Sequence, residues 1–210
     1  MRNNNFLILT LLFILVFTMS VSADQLNLQN GQSLRGTIEN NNVEIRTPYA
    51  EIKVQSRFLK SIKNKNGGFV FRLSENNRFT GELLNNITIA SDSGERTFSP
   101  AEIEVVSFSN TSSFKNNRGV NITATNGDFF FANTVEDSVS IKTSLGSPLN
   151  IRYSNIVSIE YLKNEDLYLI NRKNASEVKA NFSQQRLILW PSAGEIFEMD
   201  LNYLQKLIVN

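Results

Sequence analysis

Apolar and polar residues alternate with a period of two through most of the chain that follows residue 24. Between Leu26 and Val54, short alternating runs are separated by turn residues such as Asn30-Gly31 and Pro48-Tyr49. Such runs predict strands with one buried face. Asn-Gly is a strong hairpin signal because both residues tolerate positive φ. No window has the 3.6-residue period of a long amphipathic helix, so the pattern predicts an all-β chain.

The alternation is interrupted four times by two aliphatic residues that lie three positions apart. These terminal pairs are Leu59/Ile62, Ile103/Val106, Ile156/Ile159 and Leu204/Leu207. Each pair follows a predicted strand, and a spacing of three is typical of one turn of 3-10 or α-helix. We therefore expect a short turn at each pair, packed beneath the sheet.

Three further positions keep their distance from the terminal pairs along the sequence. Each pair is preceded by three landmarks. The first is an apolar residue, the second is a small residue ten positions later, and the third is an aliphatic residue 8 or 9 positions after the small one. They are Leu26, Gly36 and Ile45; Phe71, Gly81 and Ile89; Ile122, Ala132 and Ile141; and Ile170, Ala180 and Leu189. The small residue predicts a bulge or a close backbone approach in a bent second strand.

This regularity predicts four tandem β repeats at 24–66, 67–114, 115–164 and 165–210, because a repeat of this length usually marks one supersecondary unit. We expect three to four antiparallel strands in each unit. One unit is too small to bury its apolar face alone, so the units are expected to stack or pair as small barrels or a sandwich. A four-bladed propeller-like ring and a β-solenoid are alternative arrangements, although Asn-Gly hairpins favour antiparallel pairing.

Residues 1–23 have the organisation of a secretory signal peptide. Arg2 provides a positive start, the run from Phe6 to Met19 contains only Thr10 and Thr18 as polar residues, and Val21-Ser22-Ala23 supplies a cleavage site. An uncleaved anchor is the alternative, but the run is shorter than the roughly 20 residues that span a bilayer. The sequence therefore predicts export, to the bacterial periplasm or out of the cell.

Charge and cysteine content narrow the function classes. The chain has 21 basic and 20 acidic residues, and the signal segment contributes one of the basic ones, so the exported part is formally neutral. Neutrality predicts no binding to nucleic acid, and contact with a membrane only through an uncleaved signal. The absence of cysteine excludes disulfides and thiolate catalysis, and with the high asparagine content it favours a bacterial envelope protein.

Candidate catalytic residues are few. The chain has neither histidine nor cysteine, which excludes Ser-His-Asp triads, Cys-His dyads and histidine-ligated zinc. Glu102 with Glu104 and Glu136 with Asp137 are paired acids of the kind that a glycosidase uses. Alternation places the first two on one strand face, where solvated acids are common. Asp92–Glu95 and Asn126–Asp128 place oxygen donors near a glycine, yet neither has the ligand count of a calcium loop. We predict no catalytic residue, no metal and no cofactor.

Aromatic residues are the other candidates. There are fifteen phenylalanines and one tryptophan. Phe129, Phe130, Phe131 and Trp190 are candidate contacts for a partner protein or a sugar, although a sheet buried on both faces also explains the phenylalanine run. Alternation turns Phe130 away from its two neighbours, and we expect Trp190 to lie in the core.

The string Leu26-x-Leu28-x-Asn30-Gly31-x-x-Leu34-x-Gly36-x-Ile38, followed by Val43-x-Ile45-x-Thr47, resembles a short β repeat of exported bacterial envelope proteins of unknown function. One version of that repeat is similar to the segment that precedes the outer-membrane barrel in a DUF481-type family. The resemblance implies an envelope setting and no activity, and the chain lacks the many amphipathic strands of such a barrel. The string also resembles Sm-like barrels, but export and neutral charge argue against their RNA binding.

The sequence thus favours a non-enzymatic exported β-repeat protein that binds or scaffolds another envelope protein, or a second copy of itself. A carbohydrate-binding module that uses phenylalanine or tryptophan platforms is the alternative. A carboxylate-dependent glycosidase is the third hypothesis.

Overall fold

The structure, a computed structural model, describes residues 23–114, 119–143 and 146–210. The protein is all-β: the described residues form twenty strands and five 3-10 turns and contain no α-helix. The strands are linked into one large antiparallel sheet that does not close into a barrel. The predicted signal peptide, residues 1–23, lies outside the described part except for Ala23, and the described residues include no helix suited to crossing a membrane.

The first ten strands are β1 Asp24–Leu28, β2 Ser33–Ile38, β3 Asn42–Arg46, β4 Glu51–Gln55, β5 Leu59–Lys65, β6 Gly68–Leu73, β7 Arg78–Leu83, β8 Ile87–Ser91, β9 Gly94–Phe98 and β10 Ile103–Ser107. The second ten are β11 Val120–Ala124, β12 Phe129–Thr134, β13 Ser138–Lys142, β14 Pro148–Arg152, β15 Ile156–Leu162, β16 Leu167–Arg172, β17 Val178–Phe182, β18 Arg186–Pro191, β19 Phe197–Asp200 and β20 Leu204–Val209. The 3-10 turns are Ser56–Phe58, Ser74–Asn76, Pro100–Glu102, Tyr153–Asn155 and Leu201–Tyr203.

Strands β1–β10 and strands β11–β20 pair in the same way. In the first set the order is β2-β1-β10-β5-β6-β7, with hairpin β3–β4 joined to the end of β7 and hairpin β8–β9 joined to the end of β2. In the second set the order is β12-β11-β20-β15-β16-β17. Hairpin β13–β14 is joined to β17, and hairpin β18–β19 is joined to β12. The two sets are called the first and second ten-strand sets below.

The small residue of each predicted repeat lies where a strand changes partner. Gly36 pairs with β1, and the next two residues of β2 pair with β8 instead. Gly81 marks the same change in β7. A Cβ atom at either glycine would collide with a backbone carbonyl oxygen, that of Ala90 or of Arg46. The predicted close backbone approach is therefore confirmed at both glycines.

A short 3-10 turn follows a strand at each of the four predicted places, which confirms the turn, but its assignment to the terminal pair itself is wrong. The pairs lie inside strands β5, β10, β15 and β20, and the 3-10 turn ends one residue before each of them. The spacing of three arises from a β-bulge. Leu59 pairs with Leu73 and Ser61 pairs with Arg72, so Lys60 is an extra residue in the ladder. Glu104, Val157 and Gln205 are the extra residues of the other three strands.

A bulge explains the spacing because it places two residues of one strand opposite one residue of its partner. Residues i and i+3 then face the same side, whereas a regular strand would bring i and i+2 together. All eight members of the terminal pairs are at most 1% exposed. Each bulge therefore keeps both aliphatic side chains in the core.

Two predicted Asn-Gly turns are present, with Gly31 at φ 84° and Gly127 at φ 82°. The β5–β6 hairpin has a third Asn-Gly turn, formed by Asn66 at φ 52° and Gly67 at φ 83°. This turn spans the predicted boundary between the first two repeats, at residues 66 and 67. Positive φ at both residues is the geometry of a type I′ turn, which matches the twist of a two-residue hairpin.

The two ten-strand sets meet along one junction. Arg78 of β7 pairs with Phe129 of β12, and the backbone NH of Gln55 donates to the carbonyl of Ala193 at 2.9 Å. Buried apolar residues of both sets form a single hydrophobic cluster. The core is thus continuous across the junction.

Candidate functional site

The three consecutive phenylalanines divide between the two faces of β12. Phe130 is 0% exposed and packs near Tyr49, Phe79 and Phe197, with ring centroids 5.1 to 6.3 Å away. Its predicted opposite orientation is confirmed, and its burial leaves it unable to contact a partner. Phe129 and Phe131 lie on the outer face, partly exposed, with their rings in an edge-to-face arrangement at 5.3 Å.

Trp190 lies on the surface, so the expectation that it belongs to the core is wrong. Its side is set by alternation in β18, where Leu189 and Pro191 are buried and Trp190 between them is 56% exposed. The repeat already assigned Leu189 to a buried position, and that position predicts that the next residue points outward. Trp190 pairs directly with Asn133 of β12.

These outward residues form one patch on the second ten-strand set. We call it the aromatic surface, and it consists of Phe129, Phe131, Asn133, Ile188 and Trp190. Val135, which is 50% exposed, extends it, and its backbone NH donates to the carbonyl of Ile188 at 3.1 Å. An exposed apolar patch with polar neighbours is typical of a contact surface.

A second site, absent from the sequence predictions, is a polar cleft of about 610 Å³ that is lined by the first ten-strand set and by Glu195 between β18 and β19. We call it the amide cleft. Its lining includes Asn41, Asn42, Gln55, Ser56, Arg57 and Asn110. The asparagines at 40–42 signal only a turn in the sequence, and the lining comes from segments that are distant along the chain.

Hydrogen bonds hold the walls of the amide cleft in place. The carboxylate of Asp24 accepts from the backbone NH groups of Ile38 at 2.9 Å and Ser109 at 2.7 Å. Asn40 accepts from the NH of Thr88 at 2.8 Å and donates to the carbonyl of Asn86 at 2.9 Å. These two side chains are therefore structural.

Other polar groups of the cleft have no partner within the described part of the chain. The side-chain amides of Asn41, Asn42, Gln55 and Asn110 make no hydrogen bond there, and the buried hydroxyl of Ser56 has none. The guanidinium of Arg57 stacks 4.8 Å from the ring centroid of Phe58. A buried hydroxyl without a partner is unusual in a folded protein, and the cleft offers donors and acceptors to a polar ligand.

The predicted acid pairs do not form a catalytic pair on a strand. Glu102 lies in a 3-10 turn and caps it, accepting from the NH of Ser99 at 2.8 Å and from its hydroxyl at 2.7 Å, which lowers the pKa of Glu102. Glu104 is the bulge residue of β10, so the expected shared strand face is wrong. Glu136 and Asp137 lie between β12 and β13. The described residues contain no cluster of three or more acids that could hold a metal ion.

The turn Asn126–Asp128 buries a carboxylate at the junction of the two sets. Asp128 is 0% exposed, and its Oδ2 accepts from the hydroxyl of Tyr49 at 3.1 Å, the NH of Thr80 at 2.9 Å and the amide of Asn126 at 2.9 Å. Burial, followed by the nearby Asp128 charge, raises the pKa of Tyr49 well above its ordinary value. We call these four residues the junction network. It joins the two sets.

Comparison with known proteins returns no similarity that bears on the site: no family model, no curated protein and no solved structure matches the chain.

Proposed function

We propose that this chain is a non-enzymatic, exported β-repeat protein of the bacterial cell envelope that binds another protein through its aromatic surface. The observation that carries the proposal is the 56% exposure of Trp190 beside the partly exposed Phe131. Tryptophan and other aromatic residues are enriched at the energetic centres of protein interfaces. The outward side chains of Asn133 and Ile188 supply a polar and an apolar neighbour.

Export is supported by the position of the first described strand. Strand β1 begins at Asp24, the residue that follows the predicted cleavage site, and the Asp24 carboxylate is held by Ile38 and Ser109. Cleavage at that site would leave every described strand intact. A core that needs no disulfide also suits an exported chain without cysteine.

The four-unit organisation belongs to the proposal as well. Identical pairing in the two ten-strand sets supports a duplication, and the bulge at every terminal pair supports four units rather than two. We propose that the units exchange hairpins, so that β3–β4 complete the packing of β6–β7, and β8–β9 complete that of β1–β2. With β5 paired to β6 and β10 paired to β1, each group contains five strands, and we propose that each forms a small open barrel.

Site-specific photo-crosslinking tests the protein-binding proposal. A photoreactive phenylalanine analogue at position 190 should capture a discrete envelope protein, because Trp190 is at the centre of the aromatic surface. Val157 is a matched control, since it is 45% exposed at the bulge of β15, away from that surface. The same analogue at position 157 should capture nothing above background. Equal capture from both positions, or a monomer that captures nothing from position 190, contradicts the proposal.

Carbohydrate binding is the second candidate, and the amide cleft is the observation that favours it. Four unpartnered amides, a buried serine hydroxyl and an arginine suit the hydroxyl groups of a sugar. Isothermal titration with neutral tetrasaccharides tests this candidate. Gln55→Ala should abolish binding, whereas Asn150→Ala, an exposed change on β14, should leave it intact. No heat of binding with any tetrasaccharide removes the candidate.

A further inference from the structure

Five basic residues lie on one face of the six-stranded part of the first ten-strand set. They are Arg35, Lys63, Lys65, Arg72 and Arg78, and all five are exposed. Buried residues alternate with them along each strand, for example Ile62 beside Lys63 and Phe71 beside Arg72. We call this outward side the cationic face.

Cross-strand register aligns three of these cations, Arg35, Arg72 and Arg78, in one row. Arg35 pairs with Gln25, Gln25 with Ser107, Ser107 with Ser61, Ser61 with Arg72, and Arg72 with Arg78. The row crosses six strands, which lie about 4.8 Å apart, and Lys63 and Lys65 flank it on β5.

No acidic residue shares the paired part of the cationic face. The other outward positions of β1, β2, β5, β6, β7 and β10 are polar, small or aliphatic: Gln25, Asn27, Ser33, Ser61, Gly68, Val70, Thr80, Val105 and Ser107. Glu82 lies past the partner change at Gly81 and binds Arg46 at 3.2 Å, and Glu104 is the bulge residue of β10. Although the part of the chain after residue 23 is formally neutral as a whole, this face therefore carries a local excess of positive charge.

The pairing of Arg72 with Arg78 is unfavourable in the protein alone. Like charges directly opposite each other on neighbouring strands destabilise a sheet. Arg78 donates to the carbonyl of Gly127, while Arg35, Lys63 and Arg72 form no ion pair within the described residues. Elsewhere the surface pairs its charges, as Arg186 does with Glu198 at 2.6 Å. An anion over Arg72 and Arg78 would relieve the repulsion.

The row continues into the aromatic surface, because Arg78 pairs with Phe129. A ligand that lies along the row therefore contacts Arg72 and Arg78 and, beside them, the ring of Phe129. From this juxtaposition we infer that the cationic face binds an anionic polysaccharide, whose acidic groups lie over Arg72, Arg78 and Lys63 and whose sugar rings reach Phe129.

A linear sugar chain fits this face better than a membrane does. Arg35, Arg72 and Arg78 lie in one row across the strands, and Phe129 and Phe131 are partly buried against each other instead of projecting as wedges. Membrane-bound surfaces insert apolar side chains into the boundary between headgroups and acyl chains. This inference shares only Phe129 with the protein-binding proposal, which depends on Trp190 of β18, so either one can fail without the other.

The test measures binding of the full exported chain to polygalacturonate, heparin and neutral dextran at low and high salt. We expect binding to the two anionic chains, none to dextran, and loss of binding at high salt because salt screens exposed charges. The double variant Lys63→Gln/Arg72→Gln should bind roughly 30-fold more weakly at low salt, as expected for two surface cations. Both residues are exposed, so the variant should fold.

Lys142→Gln/Arg152→Gln is the matched control. It removes the same charge from exposed positions of hairpin β13–β14 and should bind as the parent chain does. An equal loss in both variants overturns the inference, since binding would then follow total charge alone. Absence of binding to both anionic chains also overturns it. Binding to vesicles of phosphatidylglycerol with phosphatidylcholine, without binding to the polysaccharides, replaces it with a membrane surface.

Discussion

The hydroxyl of Tyr49 and the carboxylate of Asp128 show how individual residues contribute to the junction between the two ten-strand sets. Tyr49 and Asp128 are 3% and 0% exposed, and they contribute one residue from each ten-strand set to the junction network. Buried polar groups of this kind are costly unless they are hydrogen-bonded. The network therefore fixes how the two sets meet, and it does so at one position.

Removing the hydroxyl of Tyr49 tests this. Tyr49→Phe takes a donor from the buried Asp128, and we expect the free energy of unfolding to fall by about 1–3 kcal/mol at neutral pH. Tyr161→Phe is the matched control, because that hydroxyl donates to Asp166 at 2.7 Å on the surface. Urea unfolding of both variants checks the difference, and equal losses would contradict a special role for the junction.

Alkaline pH should weaken the fold through the same residues. Burial raises the pKa of Tyr168 to about 12 and that of Tyr49 further still, from an ordinary value of 10.0. The folded state therefore keeps tyrosine protons that the unfolded state has lost, so the contribution of these two residues to stability is constant below pH 10 and declines above it. Denaturant unfolding between pH 8 and 11.5 should show this decline, and Tyr49→Phe should make it shallower. A stability that is flat across this range would refute the assignment.

Among the elements, the bulged strands show what a single extra residue does. In β5 the extra Lys60 permits Leu59 and Ile62, three positions apart, to face the core together. The side chain of Lys60 is exposed and contributes little. Its backbone position is what the strand requires.

Deleting Lys60 should therefore be far worse than truncating it. Lys60→Ala should change the free energy of unfolding by less than about 0.5 kcal/mol, as is usual for surface sites. Deletion turns Leu59 outward or shifts the register of β5, and should cost at least the roughly 2–5 kcal/mol of a buried Leu→Ala change. Thermal unfolding of the two variants measures the difference in stability between them. A deletion that leaves stability unchanged would show that β5 can pair as a regular strand without the bulge.

The sequence predicts strands well and their arrangement less well, for physical reasons that particular residues show. Alternation fixes which side of β12 Phe130 occupies, because the side-chain period of a strand is two. The terminal pairs were misassigned to turns because a spacing of three is shared by a 3-10 turn and a bulged strand. The amide cleft was not foreseen, because Asn42, Gln55 and Asn110 are brought together only by tertiary pairing, and asparagine is common throughout the chain.

At the scale of the whole molecule, the continuous core makes the two ten-strand sets one cooperative body. Phe130 of the second set packs on Tyr49 and Phe79 of the first, and Val54 bridges to Gly194. Neither set can lose these contacts without exposing apolar surface of the other.

Ile62→Ala tests this cooperativity. The residue is fully buried in the first set, and its truncation should cost about 2–5 kcal/mol. Trp190 reports on the second set, so its fluorescence and the far-UV circular dichroism should shift to lower urea by the same amount. Two separate transitions, with Trp190 unaffected by the change, would show that the sets unfold independently.

The exchange of partners at Gly36 and Gly81 bears on how the chain acquires its fold. Gln25 at the start of β1 pairs with Ser107 of β10, and Ile45 of β3 pairs with Leu83 of β7. During synthesis the amino-terminal strands emerge long before their partners, and long-range pairing of this kind is slow. For that interval, the unpaired edges of β1 and β3 are open to any other extended chain nearby. The same topology that stabilises the finished molecule thus makes its newly synthesised form dependent on protection from its neighbours.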